Sequence, residues 1–241
     1  MRFLVCLMFL VSNAAAVQDL SGKMLLFPQQ TDTAHVRLTP LKTSIGAATV
    51  CHRSFTNLKR DHNLFSMSSQ SFDNEFLLFY DFTNNEMEVH VKNQKAEYGG
   101  LDYKPNTWHS LCTTWDSGSG LVQLWFNGRP LIKNYLSAQS NLTDNPIIIL
   151  GQEQDSHGGR FNIKQCFLGM MTDVHMWDYV LSACEIEKYV SELSFTPGNV
   201  LNWAALEFEI FERVLIDNKQ CTVSKLSIVG WECLSNIYLI I

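Results

Sequence analysis

Positive charge is scarce in this chain: 18 Lys+Arg stand against 24 Asp+Glu, for a net charge of −6. A general nucleic-acid binder presents a basic face, so no dedicated nucleic-acid site is expected. Long apolar runs are also missing. Phe3–Val11 falls well short of the roughly 20 residues a membrane-spanning helix needs. The apolar stretch Leu226–Ile241 is short and is interrupted by Glu232, so no membrane span is expected. No C-x-x-C pair occurs, which argues against a zinc ribbon. No G-x-S-x-G elbow occurs either, so the seven histidines have no recognisable nucleophile to serve. A glucanase strand of the form Glu-x-Asp-x-x-Glu fails on one residue: Glu153-Gln-Asp155-Ser-His-Gly158 has glycine where the second carboxylate must stand. The chain reads as a binding protein and not an enzyme.

What is present begins with a leader. Arg2, an apolar run and Ala14-Ala15-Ala16 form a secretory signal over residues 1–16, which implies a secreted, extracellular protein. Secretion permits disulfides. Cys6 leaves with the leader, and Cys51, Cys112, Cys166, Cys184, Cys221 and Cys233 remain. In this compartment Asn141-Leu142-Thr143 is a glycosylation acceptor, with Asn141 carrying the glycan.

The body of the chain is a series of short β segments. Lys23–Phe27, Ala34–Leu38, Ala47–Phe55, Leu64–Ser69, Glu75–Tyr80, Glu86–Val91, Trp108–Trp115, Leu121–Phe126, Ile147–Leu150 and Phe167–Trp177 are rich in Val, Ile, Leu and aromatics. Asn127-Gly128 follows Phe126 and supplies the positive φ angles of a tight hairpin. Many short strands with little helix predict an all-β sandwich or jelly roll in one domain. One helix is expected. Ser182-Ala-Cys-Glu185 is a capping box, and Ile186, Tyr189, Val190 and Leu193 fall on one face before Pro197-Gly198.

The segment Gln152–Gln165 gathers Glu153, Gln154, Asp155, Asn162 and Gln165 around Gly158-Gly159. Calcium takes six to eight oxygens from carboxylates, amides and carbonyls, and a loop of this composition can supply them. A solvated polar turn has the same composition.

Leu150-Gly-Gln-Glu-Gln-Asp-Ser156 followed by Gly158-Gly159 resembles the calcium loop of the short pentraxin family. Ser110-Leu-Cys-Thr-Thr-Trp-Asp-Ser117 resembles the family signature, although Ser110 stands where the family usually has His. Asp73-Asn74-Glu75, Met176-Trp177-Asp178 and Val200-Leu-Asn-Trp203 resemble further family segments, and the likeness runs from Gln18 to Asp217.

The resemblance implies a two-sheet, lectin-like jelly-roll sandwich with one α-helix on a face, and a disulfide between Cys51 and Cys112. It also implies two calcium ions per chain. The first would be held by Asp73, Asn74, Glu153, the carbonyl of Gln154 and Asp155. The second would share Glu153 and Asp155 and add Asn162 and Gln165; the family normally has an acid at the position of Asn162, so this site is expected to be the weaker. The implied ligands are phosphate esters or glycan surfaces on microbes and debris, with Phe79 beside the phosphate ester. In the region of Lys95-Ala96-Glu97, a lysine would disfavour choline. The implied setting is innate, acute-phase immunity, with a homopentamer that meets complement or Fc receptors. The pentraxin domain would cover residues 17–220, leaving 221–241 as an atypical tail. A laminin-G-like adhesion module without a phosphate-bridging double calcium site is the alternative.

Overall fold

A computed structural model describes residues 16–136, 140–143 and 145–219. All but the last residue of the expected leader, and the tail with Cys221 and Cys233, lie outside the described residues.

Among the described residues, fourteen strands form two antiparallel seven-stranded sheets. The strands of the first, in spatial order, are β10 (Arg129–Tyr135), β9 (Leu121–Phe126), β8 (Thr107–Asp116), β3 (Ala47–Thr56), β12 (Gly169–Trp177), β1 (Lys23–Phe27) and β14 (Leu215–Asn218). Those of the second are β13 (Glu207–Phe211), β2 (His35–Thr39), β11 (Ile147–Leu150), β4 (His62–Ser68), β5 (Phe76–Asp81), β6 (Glu86–Val91) and β7 (Gln94–Gly99). Side chains alternate across a strand, and the core follows that alternation. Phe76, Leu78 and Tyr80 of β5 meet Val122 and Leu124 of β9 and Trp115 of β8 in one cluster between the sheets. The Asn127-Gly128 hairpin forms as expected, with φ of 49° and 79°.

The expected disulfide joins Cys51 and Cys112, which are direct cross-strand partners on β3 and β8. Val50 faces the main core, so Cys51 points to the outer side of the first sheet. There the bridge builds a second small core with Trp177, Leu181, Ile186 and Tyr189 under the helix α1 (Ala183–Val190). Closing so long a loop typically adds about 2–4 kcal/mol, largely by restricting the unfolded chain.

The capping box is present: Ser182 Oγ accepts the Glu185 N–H at 3.3 Å, and Glu185 Oε2 accepts the Ser182 N–H at 2.8 Å. Arg53 fastens the other end of α1. Its Nη2 donates to Tyr189 O at 2.6 Å, and it pairs with Asp173 and Glu192. Leu193 does not continue the apolar face. The helix is capped at Ser191, Glu192 takes φ 56°, and Leu193 is 60 % exposed.

Candidate metal centre and ligand face

The helix covers the outer side of the first sheet, and the Gln152–Gln165 loop lies against the outer side of the second. Three buried amides hold that loop in place. Gln154 Oε1 accepts from Ser68 Oγ at 2.7 Å and from Gly158 N–H at 3.0 Å, while its Nε2 donates to Ser66 O and Ile147 O. Gln152 Nε2 donates to Thr31 O and Ala34 O at 2.8 and 3.0 Å. Asn63 Nδ2 donates to Gln152 O at 2.7 Å, and the Asn63 N–H donates to Gln165 O at 2.9 Å. The Gln154 side chain is therefore a structural peg, which leaves its backbone carbonyl for a ligand role. Gly151 starts the loop with φ 96°; a Cβ there would come within 2.4 Å of the Phe27 ring.

The Asp73-Asn74 turn is fixed from the neighbouring strand end. Asn93 Oδ1 accepts the Asn74 N–H at 2.9 Å, Asn74 O accepts the Asn93 N–H at 3.0 Å, and Glu75 O accepts the Lys92 N–H. Glu75 itself is buried and occupied, accepting from Ser69 Oγ and from the Thr143 N–H. Lys92 Nζ donates to Ser140 and Asn141 carbonyls, which seats the exposed Asn141 beside this turn.

Asp73 and Asp155 reach the same place as Glu153. Burial first, then the charges of Asp155 and Asp73, raise the Glu153 carboxyl to about 7. Three oxygens from this set are buried with no hydrogen-bond partner among the described residues: Glu153 Oε2, Asn74 Oδ1 and Gln165 Oε1. Burying an oxygen without a donor is costly. All three are acceptors; Glu153 lies within the influence of Asp155 and Asp73, and Asn74 adjoins Asp73 in the chain. That donor set suits a hard cation, so these residues fit calcium. Asn162 differs from the rest. It is exposed, and its Oδ1 already accepts the Lys164 N–H at 3.0 Å in a local turn.

Phe79 points outward from β5, away from the main core, and is 8 % exposed. Its cross-strand partners are Asn63 on β4, which holds the loop, and Glu88 on β6. Lys95 lies one strand further on, and its Nζ pairs at 2.6 Å with both Glu88 and Glu97. Glu88 also accepts from His90 at 2.9 Å, and these bonds, His90 foremost, hold its carboxyl down at about 2. The Lys95 charge that sequence alone set against choline is thus balanced by two carboxylates.

A second carboxylate group, Asp81, Glu86 and Glu88, brings its oxygens within 4.8 Å of one another. Nothing in its sequence spacing singled it out. Glu88 is engaged as described and both Asp81 oxygens accept from Asn84, while burial and then the charges of Glu97, Asp81 and Glu88 raise the Glu86 carboxyl.

The Pentaxin family model matches residues 23–218. Mouse serum amyloid P-component is 39 % identical over 208 residues, covering 86 % of this chain and 92 % of that protein. Bovine mucosal pentraxin is 38 % identical over 218 residues, covering 89 % and 96 %. The crystal structure of a native heptameric SAP-like pentraxin from Limulus polyphemus superposes with a TM-score of 0.74 at 21 % identity, covering 83 % of this chain and 96 % of that one. With the two-sheet sandwich and the Cys51–Cys112 bridge in place, the family match over most of its length establishes that this chain belongs to the pentaxin family.

Proposed function

We propose that the chain is a secreted recognition protein that captures phosphate esters through calcium on the outer face of the second sheet. The observation that carries this reading is the buried Glu153 carboxyl, raised by burial and by the charges of Asp155 and Asp73, with partnerless buried oxygens among the described residues on Glu153, on Asn74 next to Asp73, and on Gln165 at the end of the same loop. Calcium bound there supplies positive charge for phosphate oxygens, with Phe79 offering an apolar side to the rest of the ester. The direct test is retention on phosphoethanolamine beads with calcium and with chelator. Equal retention in the two conditions would defeat the reading.

Two calcium sites of unequal strength are expected. The first draws on Asp73, Glu153 and Asp155. The second shares two of these carboxylates and adds only neutral Asn162 and Gln165, and affinity follows ligand charge. Asn162→Asp keeps the oxygen that accepts from Lys164 N–H and adds a charge. This variant is expected to capture phosphoethanolamine at several-fold lower calcium while leaving the tighter site nearly unchanged. Calorimetric titration of both proteins checks it; two equal sites in the natural chain, or no gain from the aspartate, would contradict it.

The reading includes assembly into a ring, for which a homopentamer is the expected form, with complement or Fc receptors as partners of the assembled protein. Support comes from the first sheet, whose two edge strands both expose apolar side chains: Ile132 (73 %) and Tyr135 on β10, Leu215 and Ile216 on β14. A contact between two different edges is heterologous, and such contacts form a ring when the rotation from one subunit to the next closes. The related Limulus protein is heptameric, so subunit number is a separate measurement. Ile132→Glu is expected to yield monomers in sedimentation analysis. An unchanged oligomer would remove β10 from the interface.

A further inference from the structure

A groove of about 310 Å³ lies on the outer side of the first sheet, past the end of α1. His175, the cross-strand partner of Cys51, lines it, which places it on the face that α1 covers. Leu193, Phe195, Pro197 and Ala204 give it an apolar lining, and Gly22 and Asp173 also border it. Leu193 is 60 % exposed, and Pro197 and Ala204 are exposed as well. Phe195 packs edge-on against His175 and Tyr189 at 5.2 and 5.3 Å, which ties this lining to the small core under the helix.

Lys219, the last described residue, is fixed at this groove. Its N–H donates to Gly22 O at 2.8 Å, and its Nζ donates to Asp173 Oδ2 at 2.9 Å and Glu192 Oε1 at 3.0 Å. Gly22 and Asp173 belong to the groove, and Glu192 adjoins Leu193, so the chain departs for residues 220–241 from the groove's rim. The first stretch of those residues is apolar: Val223, Leu226, Ile228, Val229 and Trp231, with Lys225 the one charge before Glu232. Such a stretch gains free energy by leaving water. A tether of a few residues sets an effective concentration on the order of millimolar, so even a small groove is enough to hold the segment.

We infer that this groove is the docking site of the chain's own C-terminal segment, with Val223–Val229 lying against Leu193, Phe195, Pro197 and Ala204. The docked segment closes the groove to other partners and covers the leucine that the turn at Glu192 leaves outside the helix. The contact stands apart from the calcium loop, which lies on the other sheet, and it is the same with calcium and with chelator.

The experiment uses the full chain and trypsin, which cuts after Lys225. A docked segment is cut only when it opens, so the rate follows the population of the undocked form. Covering one leucine side chain corresponds to roughly ten- to hundredfold in such an equilibrium. Leu193→Glu and Ala204→Glu, both at exposed positions, are each expected to speed cleavage after Lys225 by at least about tenfold with the calcium-free Tm unchanged. A benzophenone side chain placed at Ser227 in the otherwise natural chain is expected to cross-link to residues 193–204 of the same chain, in a mixture of ¹⁵N-labelled and unlabelled protein. This map decides the matter even where a groove variant melts early. Equal cleavage of the natural chain and both stable variants would overturn the inference. So would cross-links between labelled and unlabelled chains, which would give the segment to a second copy, or cross-links to another part of the fold. Protection of Lys225 that appears only with phosphatidylcholine vesicles would assign the segment to a lipid surface and overturn it too.

Discussion

Glu153→Gln is expected to abolish calcium-dependent ligand capture, lowering calcium affinity by at least about a hundredfold, because Glu153 is shared by both expected ions. The same change is expected to leave the calcium-free fold intact or slightly more stable. In that state Glu153 is a buried carboxylate with Asp73 and Asp155 beside it, and burial together with these like charges raises its carboxyl to about 7. Removing the charge relieves desolvation and repulsion. The two effects separate cleanly in a melting experiment: calcium should raise the Tm of the natural protein and leave that of the variant unmoved, with the calcium-free Tm of the variant equal or higher. A variant still stabilised by calcium would move the ion elsewhere, and the Asp81, Glu86 and Glu88 cluster would be the next place to look. The raised Glu153 carboxyl also predicts proton competition. Below pH 7 one proton must leave as calcium enters, so affinity should fall by up to tenfold per pH unit.

Between pH 6.5 and pH 4 the protein is expected to lose much of its stability, through three histidines. His52, His62 and His175 are buried, and burial lowers each to about 4 from an ordinary 6.5. The His52 ring nitrogens have no hydrogen-bond partner among the described residues. Above pH 6.5 these imidazoles are neutral in both folded and unfolded chains and contribute no pH dependence. Below it the unfolded chain takes up protons that the folded chain refuses until about pH 4, so stability falls as pH falls through that window. A tenfold difference in proton affinity between the folded and unfolded chains is worth about 1.4 kcal/mol, so each imidazole removes on the order of 3 kcal/mol by pH 4. That is a large share of a typical domain's roughly 5–15 kcal/mol. Glu153 works in the opposite sense over pH 4.5–7, because its folded form holds the proton more tightly, and so it offsets part of the loss. Denaturant midpoints measured across pH 4–7 in chelator check this. A flat profile for the natural protein, with no gain at pH 5 from His52→Phe, would show that these side chains are not buried neutral.

The sequence by itself determined the interior strands. In β9 and β5, apolar side chains at alternating or continuous positions leave only one way to bury them, and the expected ranges match to within one or two residues. Local chemistry alone was also enough for the Asn127-Gly128 turn and the Ser182 cap, because their bonds close within four residues. The residues proposed to hold calcium were assigned through the resemblance. Asp73-Asn74 and Glu153–Gln165 lie far apart in sequence, and nothing in their spacing says that β11, which leads into the loop, pairs with β4, which leads to the Asp73-Asn74 turn. The four strands that the sequence pattern did not delimit, β7, β10, β13 and β14, are the four sheet edges. An edge strand is half-paired and largely exposed, so it tolerates Lys, Glu, Asn and even Pro130, and the apolar signal fades. Leu193 left the helix because the chain turns at Glu192 towards Arg53 and Lys219, a tertiary ion-pair network with no local signature. Tertiary structure alone decided the partnerless oxygens and the groove beside Lys219. Each depends on side chains from separate strands and loops meeting on one outer face, and no local stretch of sequence encodes that meeting.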